Sequence, residues 1–467
     1  MWPCAPNSGH ESRLPRWCPR RIRLVVTTLR VTPTGQPLLG SVPAPPDPRT
    51  AAVALVVMAL ARTGQTCRLD ARGLPRLPLV EALRALGVDA VQSGDGCRLV
   101  SAGRHWTQAR APLDAAGHVA TATGLLAVLA GQRFRSEMTS SRRFPPQVLA
   151  HIVKPLRARG ALLEGRLDPQ QPAQVRAPVH IQPAPMAALS PLRYQPAPHD
   201  WAGKTAALIS GLLADGPTVI QESVMGHERS ERLFYALGVP LSSAGPYLEL
   251  AGQQWQGELP QASYALPGDS EGAALLVAAA AVVPDSLVTV RGVAASGGCS
   301  GYLEALRNAA ASLRVQAHGV VLGEGIADIT LRGVGFGGLR LGSAQLPRAG
   351  ASGAILAALA VGGRPGTHSE LALDDATAQA CVGLLRGFGV EAASRGTGLW
   401  VAGTHGRRLT AHRFDAAQRP SFAMAASVLA LQAAGPCEIQ HCDRIVERFP
   451  RFVASLRALG AQIEVLS

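Results

Sequence analysis

The stretch Leu83-Arg84-Ala85-Leu86-Gly87-Val88 decides the fold, because the same phrase returns along the whole chain. It joins a leucine-arginine pair to a glycine and then to a short hydrophobic strand. Clear copies are Leu156-Arg157-Ala158-Arg159-Gly160-Ala161, Leu385-Arg386-Gly387-Phe388-Gly389-Val390 and Leu456-Arg457-Ala458-Leu459-Gly460-Ala461; weaker copies are Tyr235-Ala236-Leu237-Gly238-Val239 and Leu306-Arg307-Asn308-Ala309-Ala310. Six units of one supersecondary design therefore cover the protein.

The other half of each unit is an Ala/Leu-rich helix, a small turn and a β-branched strand, as in residues 205–213 followed by 218–221. This pattern predicts an α/β (α+β) fold of six βαβαββ-type repeats. Three repeats form each of two domains, with helices inside and sheets outside, as an inside-out α/β barrel. We predict a disordered extension over 1–27, one discontinuous domain over 28–45 plus 268–467, and a second domain over 46–267.

Bulk composition narrows the possible partners. The longest apolar run, residues 273–283, is shorter than the roughly 20 residues that cross a bilayer, so no membrane segment is expected. The net charge of +13 is carried almost wholly by arginine, and no nucleic-acid motif accompanies it. Arginine in place of lysine also follows from GC-rich coding. We therefore expect no nucleic-acid partner.

The eight cysteines are scattered, which favours reduced thiols in a cytoplasmic protein. Cys437 and Cys442 flank His441, but this spacing matches no standard zinc pattern. The sequence predicts no metal site and no cofactor, and we expect a monomer.

Three phrases connect this architecture to a known family. They are Leu29-Arg30-Val31-Thr32-Pro33 near the start, Pro267-Gly268-Asp269-Ser270 at the domain crossover and Phe449-Pro450-Arg451-Phe452 before the last repeat phrase. In order and spacing they resemble the EPSP (enolpyruvyl-shikimate-phosphate) synthase family of enolpyruvyl transferases over residues 29–467. The resemblance implies transfer of the enolpyruvyl group of phosphoenolpyruvate to a substrate hydroxyl with release of phosphate. It also implies a place in the shikimate pathway of aromatic amino acid biosynthesis.

The chain departs from that family where the chemistry is expected. Family members gather anions with Lys and Arg and move protons with a lysine and a carboxylate. Seven motifs differ here: they map to Asp47-Pro48-Arg49 with Val53, to residues 118–124, to Asp200-Trp201-Ala202, to residues 348–351, to residues 372–378, to Arg419-Pro420-Ser421 and to Glu447. The chain contains only two lysines, Lys154 and Lys204, and neither falls at a catalytic lysine position. Glu447 and Asp374 are expected to face an anionic substrate across the cleft.

The departures leave three hypotheses and no assigned catalytic residue. The first is a diverged member without ordinary enolpyruvyl transfer, which binds either a small anion in the interdomain cleft or a protein partner. The second is a repurposed transferase or lyase that acts on a phosphorylated or carboxylated small molecule. The third is a genuine EPSP synthase whose motifs lie elsewhere.

Five residues are weak candidates for ligand binding, and each also has a structural interpretation. Arg142 and Arg143 follow two serines and could hold an anion, or lie in a solvated loop. Lys204 follows a glycine as at the end of a phosphate-binding loop, but a helix start explains it equally. Thr121 is the surviving threonine of one family motif and could cap or pack, and Asp269 could close the crossover turn. His118 and His199 could carry protons or be hydrogen-bonded structural residues.

Overall fold

The computed structural model describes residues 27–145, 147–168, 171–184, 188–197, 200–222, 229–297, 300–396, 398–417 and 419–466. The predicted extension over 1–27, apart from Thr27, and His199 lie outside these described residues.

The described residues form helices and strands that recur in one order in each repeat. The helices are α1 (Pro48–Leu60), α2 (Pro78–Ala85), α3 (Val119–Leu129), α4 (Val148–Ala158), α5 (Trp201–Gly211), α6 (Arg229–Ala236), α7 (Ser270–Val282), α8 (Gly301–Asn308), α9 (Gly353–Ala360), α10 (Asp375–Gly387), α11 (Pro420–Ala430), α12 (Ile445–Arg448) and α13 (Phe452–Ala458). The strands are β1 (Thr28–Thr32), β2 (Leu39–Pro43), β3 (Thr66–Asp70), β4 (Asp89–Ser93), β5 (Gly96–Val100), β6 (Leu113–Asp114), β7 (Ser136–Thr139), β8 (Leu163–Asp168), β9 (Gln171–Ile181), β10 (Leu192–Tyr194), β11 (Thr218–Gln221), β12 (Leu241–Ala244), β13 (Tyr247–Leu250), β14 (Ser263–Ala265), β15 (Leu287–Ala294), β16 (Ser312–Val321), β17 (Glu324–Arg332), β18 (Arg340–Leu341), β19 (His368–Leu371), β20 (Ala392–Ser394), β21 (Leu399–Ala402), β22 (Arg413–Asp415), β23 (Cys437–Gln440) and β24 (Gln462–Leu466).

Six four-stranded sheets share one topology. In each sheet a first strand runs parallel to the second, and two antiparallel pairings follow. The orders are β2-β15-β17-β16, β6-β7-β9-β8, β10-β11-β13-β12, β14-β3-β5-β4, β18-β19-β21-β20 and β22-β23-β1-β24. Two sheets join distant parts of the chain, since β1 pairs with β23 and β24 while β2 pairs with β15. The six-repeat α/β prediction is confirmed.

The repeated phrase ends a helix in the same way in all six units. In the first unit, the amide of Val88 donates to the carbonyl of Leu83 at 3.0 Å, and Gly87 adopts φ +86°. This pattern is a Schellman cap, which needs a left-handed residue after the helix. The other five units repeat the hydrogen bond, and in the weak copy at 306–310 Ala310 takes the left-handed position with φ +54°. The glycine is therefore a helix terminator.

In three of the units the leucine-arginine pair connects an outer helix to the core and to the next strand. Leu156, Leu385 and Leu456 are fully buried. The arginine that follows reaches the strand after the cap, because Arg157 donates to the carbonyl of Leu163, as Arg386 does to Ala392 and Arg457 to Ile463. Both residues thus orient the helix on the strand that succeeds it.

The Ala/Leu-rich helices lie inside, as predicted. Every residue of α7 is buried, and so is nearly every residue of α1. A helix that is apolar all round is stable only when it is enclosed, and small side chains let neighbouring helices approach closely. Helices α7, α9 and α11 pack together in one core, while α1, α3 and α5 pack in the other. Each bundle of three is enclosed by its own sheets.

The two cores define two lobes. We call residues 29–42 with 273–463 the terminal lobe, and residues 51–264 the central lobe. The turn between β16 and β17 crosses between them, because Leu322 is buried in the central lobe's core. Among the described helices, none has the length and apolar character that a membrane span requires.

Candidate functional site

The candidate site lies between the lobes and consists of two adjoining cavities. The large cavity, about 1060 Å³, is lined by the starts of α1, α3 and α11 and by α12. The small cavity, about 280 Å³, lies against α1, α5, α6, the start of α7 and the segment before α9. Arg49, Trp201 and Glu271 line both cavities. We call the two cavities together the cleft.

Two aspartates begin helices where the chain crosses between the lobes. Asp47 caps α1, since its Oδ1 accepts from the amide of Arg49 at 2.9 Å and its Oδ2 from Thr50 Oγ1 at 2.8 Å. Asp269 caps α7 by accepting from the amide of Gly272 at 3.2 Å. Their own amides donate to Pro267 and Pro45, so the two crossover strands are joined by backbone hydrogen bonds. The capping aspartates are thereby held side by side.

The pKa values of the two buried carboxyl groups shift in opposite directions. Burial opposes ionisation of Asp47, but the charges of Arg229 and Arg49 and its hydrogen bonds outweigh burial, so its pKa lies below the ordinary value. Burial, and then the negative charge of Asp47, raise the pKa of Asp269. Arg229 lies 2.6 Å from Asp47 Oδ2, whereas Asp269 Oδ1 has no hydrogen-bond partner among the described residues. Asp47 therefore ionises at a lower pH than Asp269.

Arginines and acids from opposite lobes pair across the cleft. Arg448 of α12 binds Glu271 at the start of α7, and Ser421 Oγ donates to the same carboxylate at 3.3 Å. Arg142 of the central lobe makes a two-point contact with Glu447 of the terminal lobe. Many of the charges of this cleft therefore balance one another.

His118 lies at the start of α3 on the wall of the large cavity. Its Nδ1 accepts from the amide of Thr121 at 3.2 Å and lies 2.8 Å from Thr121 Oγ1. An imidazole nitrogen that accepts an amide hydrogen must be unprotonated. Burial, followed by the nearby charges of Arg448 and Arg49, lowers the pKa of His118 to about 4. The imidazole is therefore neutral at pH 7.

The five predicted ligand-binding candidates lie in different environments in the structure. Arg142 and Arg143 line the large cavity, and Arg142 is bound to Glu447. Thr121 is completely buried beside His118. Lys204 is enclosed with Glu222, at 2.7 Å, and Glu231. Asp269 caps α7.

One expectation is corrected. Glu447 lines the large cavity, but Asp374 lines neither cavity. Asp374 caps α10 instead, with its Oδ1 accepting from the amide of Thr377 at 3.0 Å. Among the described residues no group of three or more His, Cys, Asp or Glu side chains could hold a metal ion.

Sequence reasoning did not select Arg49, Arg229, Glu271 and Arg448 as site residues. Asp47 and Asp269 each stand before an apolar helix, and this capping signal marked the two helix starts that line the cleft. The partners of those helix starts come from distant parts of the chain, and no local pattern marks them.

Comparison with solved structures defines the class. An EPSP synthase from Acinetobacter baumannii superposes with a TM-score of 0.79 at 22% identity, covering 94% of this chain and all of that one. The enolpyruvyl transferase NikO from Streptomyces tendae gives 0.71 at 18% identity, covering 94% and 99%. The fold is therefore that of the two-lobed enolpyruvyl transferases.

Sequence comparison narrows the class to a family. The profile described as EPSP synthase (3-phosphoshikimate 1-carboxyvinyltransferase) matches residues 32–456. The chain belongs to the EPSP synthase family, which links it to the shikimate pathway. The 3-phosphoshikimate 1-carboxyvinyltransferase of Acidithiobacillus ferrooxidans is 31% identical, covering 93% of this chain and 98% of its own length. The enzyme of the same name from Synechococcus elongatus is 29% identical, covering 92% and 96%.

Proposed function

We propose that this family member binds a small anionic ligand in the cleft and does not carry out ordinary enolpyruvyl transfer to shikimate phosphate. The observation that carries the proposal is the pairing of the cleft's charges with each other. Arg229 is held by Asp47, Arg448 by Glu271 and Arg142 by Glu447. Three of its arginines therefore already face carboxylates of the chain itself, where a transferase needs them for substrate anions.

The two lysines support the same proposal. Lys204 is buried between two glutamates, and Lys154 projects from the exposed side of α4. Neither lines either cavity. An arginine can replace a lysine as an anion anchor, but its pKa is too high for proton transfer near neutral pH. The cleft thus keeps anion-binding groups without a lysine that could shuttle a proton.

Arg49 and Arg143 are the groups that remain for a ligand. Both line the large cavity, and neither side chain has an ion pair among the described residues. An anion placed between the lobes would supply the negatively charged partner for these two guanidinium groups. A small anionic ligand in the interdomain cleft is therefore the function that this arrangement supports best.

Phosphate release tests the catalytic part of the proposal. The purified protein is mixed with shikimate 3-phosphate and phosphoenolpyruvate, and inorganic phosphate is measured beside the Synechococcus elongatus enzyme as positive control. We expect no release above the rate without protein. Turnover comparable to the control, or rescue of a strain that lacks EPSP synthase, would overturn this part.

Ligand binding is tested separately by thermal unfolding with inorganic phosphate. We expect a concentration-dependent rise in melting temperature, since a ligand that binds only the folded state stabilises it. The Arg143→Gln variant should lose much of this rise, while Arg314→Gln, on β16 and outside both cavities, should keep it. Equal shifts in both variants would contradict binding in the cleft.

We also propose a cytoplasmic monomer without membrane or nucleic-acid partners. The described cysteines Cys67, Cys97, Cys381, Cys437 and Cys442 are buried free thiols, which supports a reducing compartment. Light scattering coupled to size-exclusion chromatography would test the monomer, and a mass of twice 48.5 kDa would contradict it.

A further inference from the structure

The small cavity has apolar walls. Val53 of α1, Trp201 of α5 and Leu233 of α6 line it from the central lobe, and Leu346 lines it from the terminal lobe. At about 280 Å³ the space is near the lower limit of small-molecule pockets. These walls are suited to the apolar part of a small, compact ligand.

The positive charge available in this cavity is concentrated on one residue. Arg229 is bound to Asp47 and lies 3.8 Å from Glu324, so its charge is balanced by carboxylates. The guanidinium of Arg49 forms no ion pair among the described residues and lies over the Trp201 ring, 5.9 Å from its centroid. A ligand in the small cavity therefore meets one available cation, placed beside an aromatic face.

The remaining polar groups argue against a second negative charge on the ligand. Glu271 also lines the cavity, but it is a carboxylate already paired with Arg448, so it offers no positive charge to a second anionic group. The other polar groups are hydroxyls, including Ser352 Oγ, which is buried without a hydrogen-bond partner among the described residues. A buried hydroxyl without a partner can be satisfied by a polar atom of a ligand. One anionic group and one or two hydrogen-bonding atoms match this set.

We propose that the small cavity binds a compact ring monocarboxylate, with its carboxylate on Arg49 and its ring against Trp201, Val53 and Leu233. The inference rests on the proposed function, because it names the ligand class of that same cleft. A phosphorylated ring is disfavoured, since phosphate carries nearly two negative charges at pH 7 and only one cation of the cavity is available. The small cavity is therefore expected to bind an unphosphorylated ring in preference to a phosphorylated one.

Titration calorimetry with four probes tests the ligand class. Benzoate and cyclohexanecarboxylate carry the predicted single charge, phenyl phosphate carries a second charge on the same ring, and benzamide is the neutral isostere. We expect both carboxylates to bind at least about tenfold more tightly than phenyl phosphate or benzamide, since charged hydrogen bonds contribute this much. Phenyl phosphate binding as tightly as benzoate, or no carboxylate binding at millimolar concentration, would overturn the proposal.

Three variants locate the binding. Arg49→Gln should weaken benzoate about tenfold and leave benzamide unchanged, while Arg314→Gln, on β16 and outside both cavities, should leave benzoate unchanged. Val53→Arg adds a cation and should shift the preference toward phenyl phosphate. Each variant is first checked for native circular dichroism and an unchanged urea midpoint. If a folded Arg49→Gln variant binds benzoate as tightly as the parent protein does, the proposed position of the carboxylate is wrong.

The two proposals fail in different experiments. Phosphate release from shikimate 3-phosphate and phosphoenolpyruvate would overturn the proposed loss of transfer without deciding the ring preference. Absence of benzoate binding, together with a thermal shift by inorganic phosphate, would overturn only the ring monocarboxylate.

Discussion

Asp47 and Asp269 occupy equivalent helix starts, and yet their pKa values shift in opposite directions. Arg229 lies 2.6 Å from Asp47 Oδ2, and its charge, with that of Arg49 and the hydrogen bonds of Asp47, outweighs the burial of Asp47. For Asp269, burial and the negative charge of Asp47 outweigh the charges of the nearby arginines. Two carboxyl groups with diverging pKa values often serve as acid and base in an active site. Here they line the lobe crossover behind the cleft, where they hold two helices.

Asparagine at each aspartate separates these roles, because asparagine also caps helices well. Asp47→Asn removes the charge that Arg229 faces, and we expect the free energy of unfolding at pH 7 to fall by about 2 kcal/mol. Asp269→Asn replaces a group whose pKa is raised by burial and by Asp47, and we expect a smaller loss than in Asp47→Asn. Urea unfolding measures both, and equal losses in the two variants would contradict the assignment.

His118 predicts a pH dependence of stability. The unfolded histidine has a pKa near 6.5, while burial and adjacent arginines lower the folded pKa to about 4. Between these values the unfolded state binds more protons, so this group's stabilisation is complete above about pH 6.5 and is lost as the pH falls to about 4.

The His118→Asn variant tests this dependence, since asparagine keeps a capping acceptor and does not titrate. We expect the variant to lose on the order of 2 kcal/mol less than the parent between pH 7 and pH 4.5. Urea unfolding at the two pH values provides the measurement. A parent and variant with identical pH profiles would show that His118 is not held neutral.

At the scale of elements, small residues set how closely the inner helices approach. Gly124 of α3 faces α1, and a Cβ added there would lie 2.6 Å from Val56 Cγ2. Val56 is β-branched and completely buried, so it has little freedom to move. A larger side chain at Gly124 therefore has no room beside Val56.

Gly124→Ala is therefore expected to destabilise the protein by about 1–3 kcal/mol, although alanine favours helices. The matched control is Gly383→Ala, because Gly383 is exposed in α10 and an added Cβ meets nothing within 4 Å. That change should stabilise by about 0.5–1 kcal/mol. Thermal or urea unfolding compares the two, and the same sign in both would contradict the packing argument.

At the scale of the whole molecule, a crossing turn and its ion pairs connect the lobes. Glu324 of β17 is buried, and its carboxylate lies 3.3 Å from Arg232 and 3.8 Å from Arg229, both on α6 of the other lobe. Leu322 beside it is buried in the central lobe's core. The terminal lobe therefore inserts one carboxylate and one leucine against α6.

Glu324→Gln should cost about 3 kcal/mol of unfolding free energy, because it removes the buried carboxylate charge that faces two arginines of α6. We also expect faster hydrogen exchange in α6 as the lobes separate more readily. The control is Glu438→Gln, whose pair with Arg30 is largely exposed and should contribute less than about 1 kcal/mol. A loss of stability in the control equal to that of Glu324→Gln would refute a special role for the crossing turn.

The repeated architecture was readable from the sequence because its determinants are local. Each copy closes a hydrogen bond between residues five apart, as Val390 does with Leu385, and Arg157, Arg386 and Arg457 each reach a carbonyl six residues ahead. Such contacts leave a pattern within one short window of sequence. The number of lysines and the presence of Val53 and Glu447 can also be read from the sequence without the fold.

The pairing of charges in the cleft was decided by tertiary structure alone. Arg229 and Asp47 are 182 positions apart, Arg448 and Glu271 are 177 apart, and Arg142 and Glu447 are 305 apart. No periodicity relates such residues, because they meet only when two separately enclosed helix bundles face each other. The sequence by itself therefore determined the repeats and the missing lysines, and only the folded lobes determined which arginines stay available for a ligand, since ion pairing depends on distance in space.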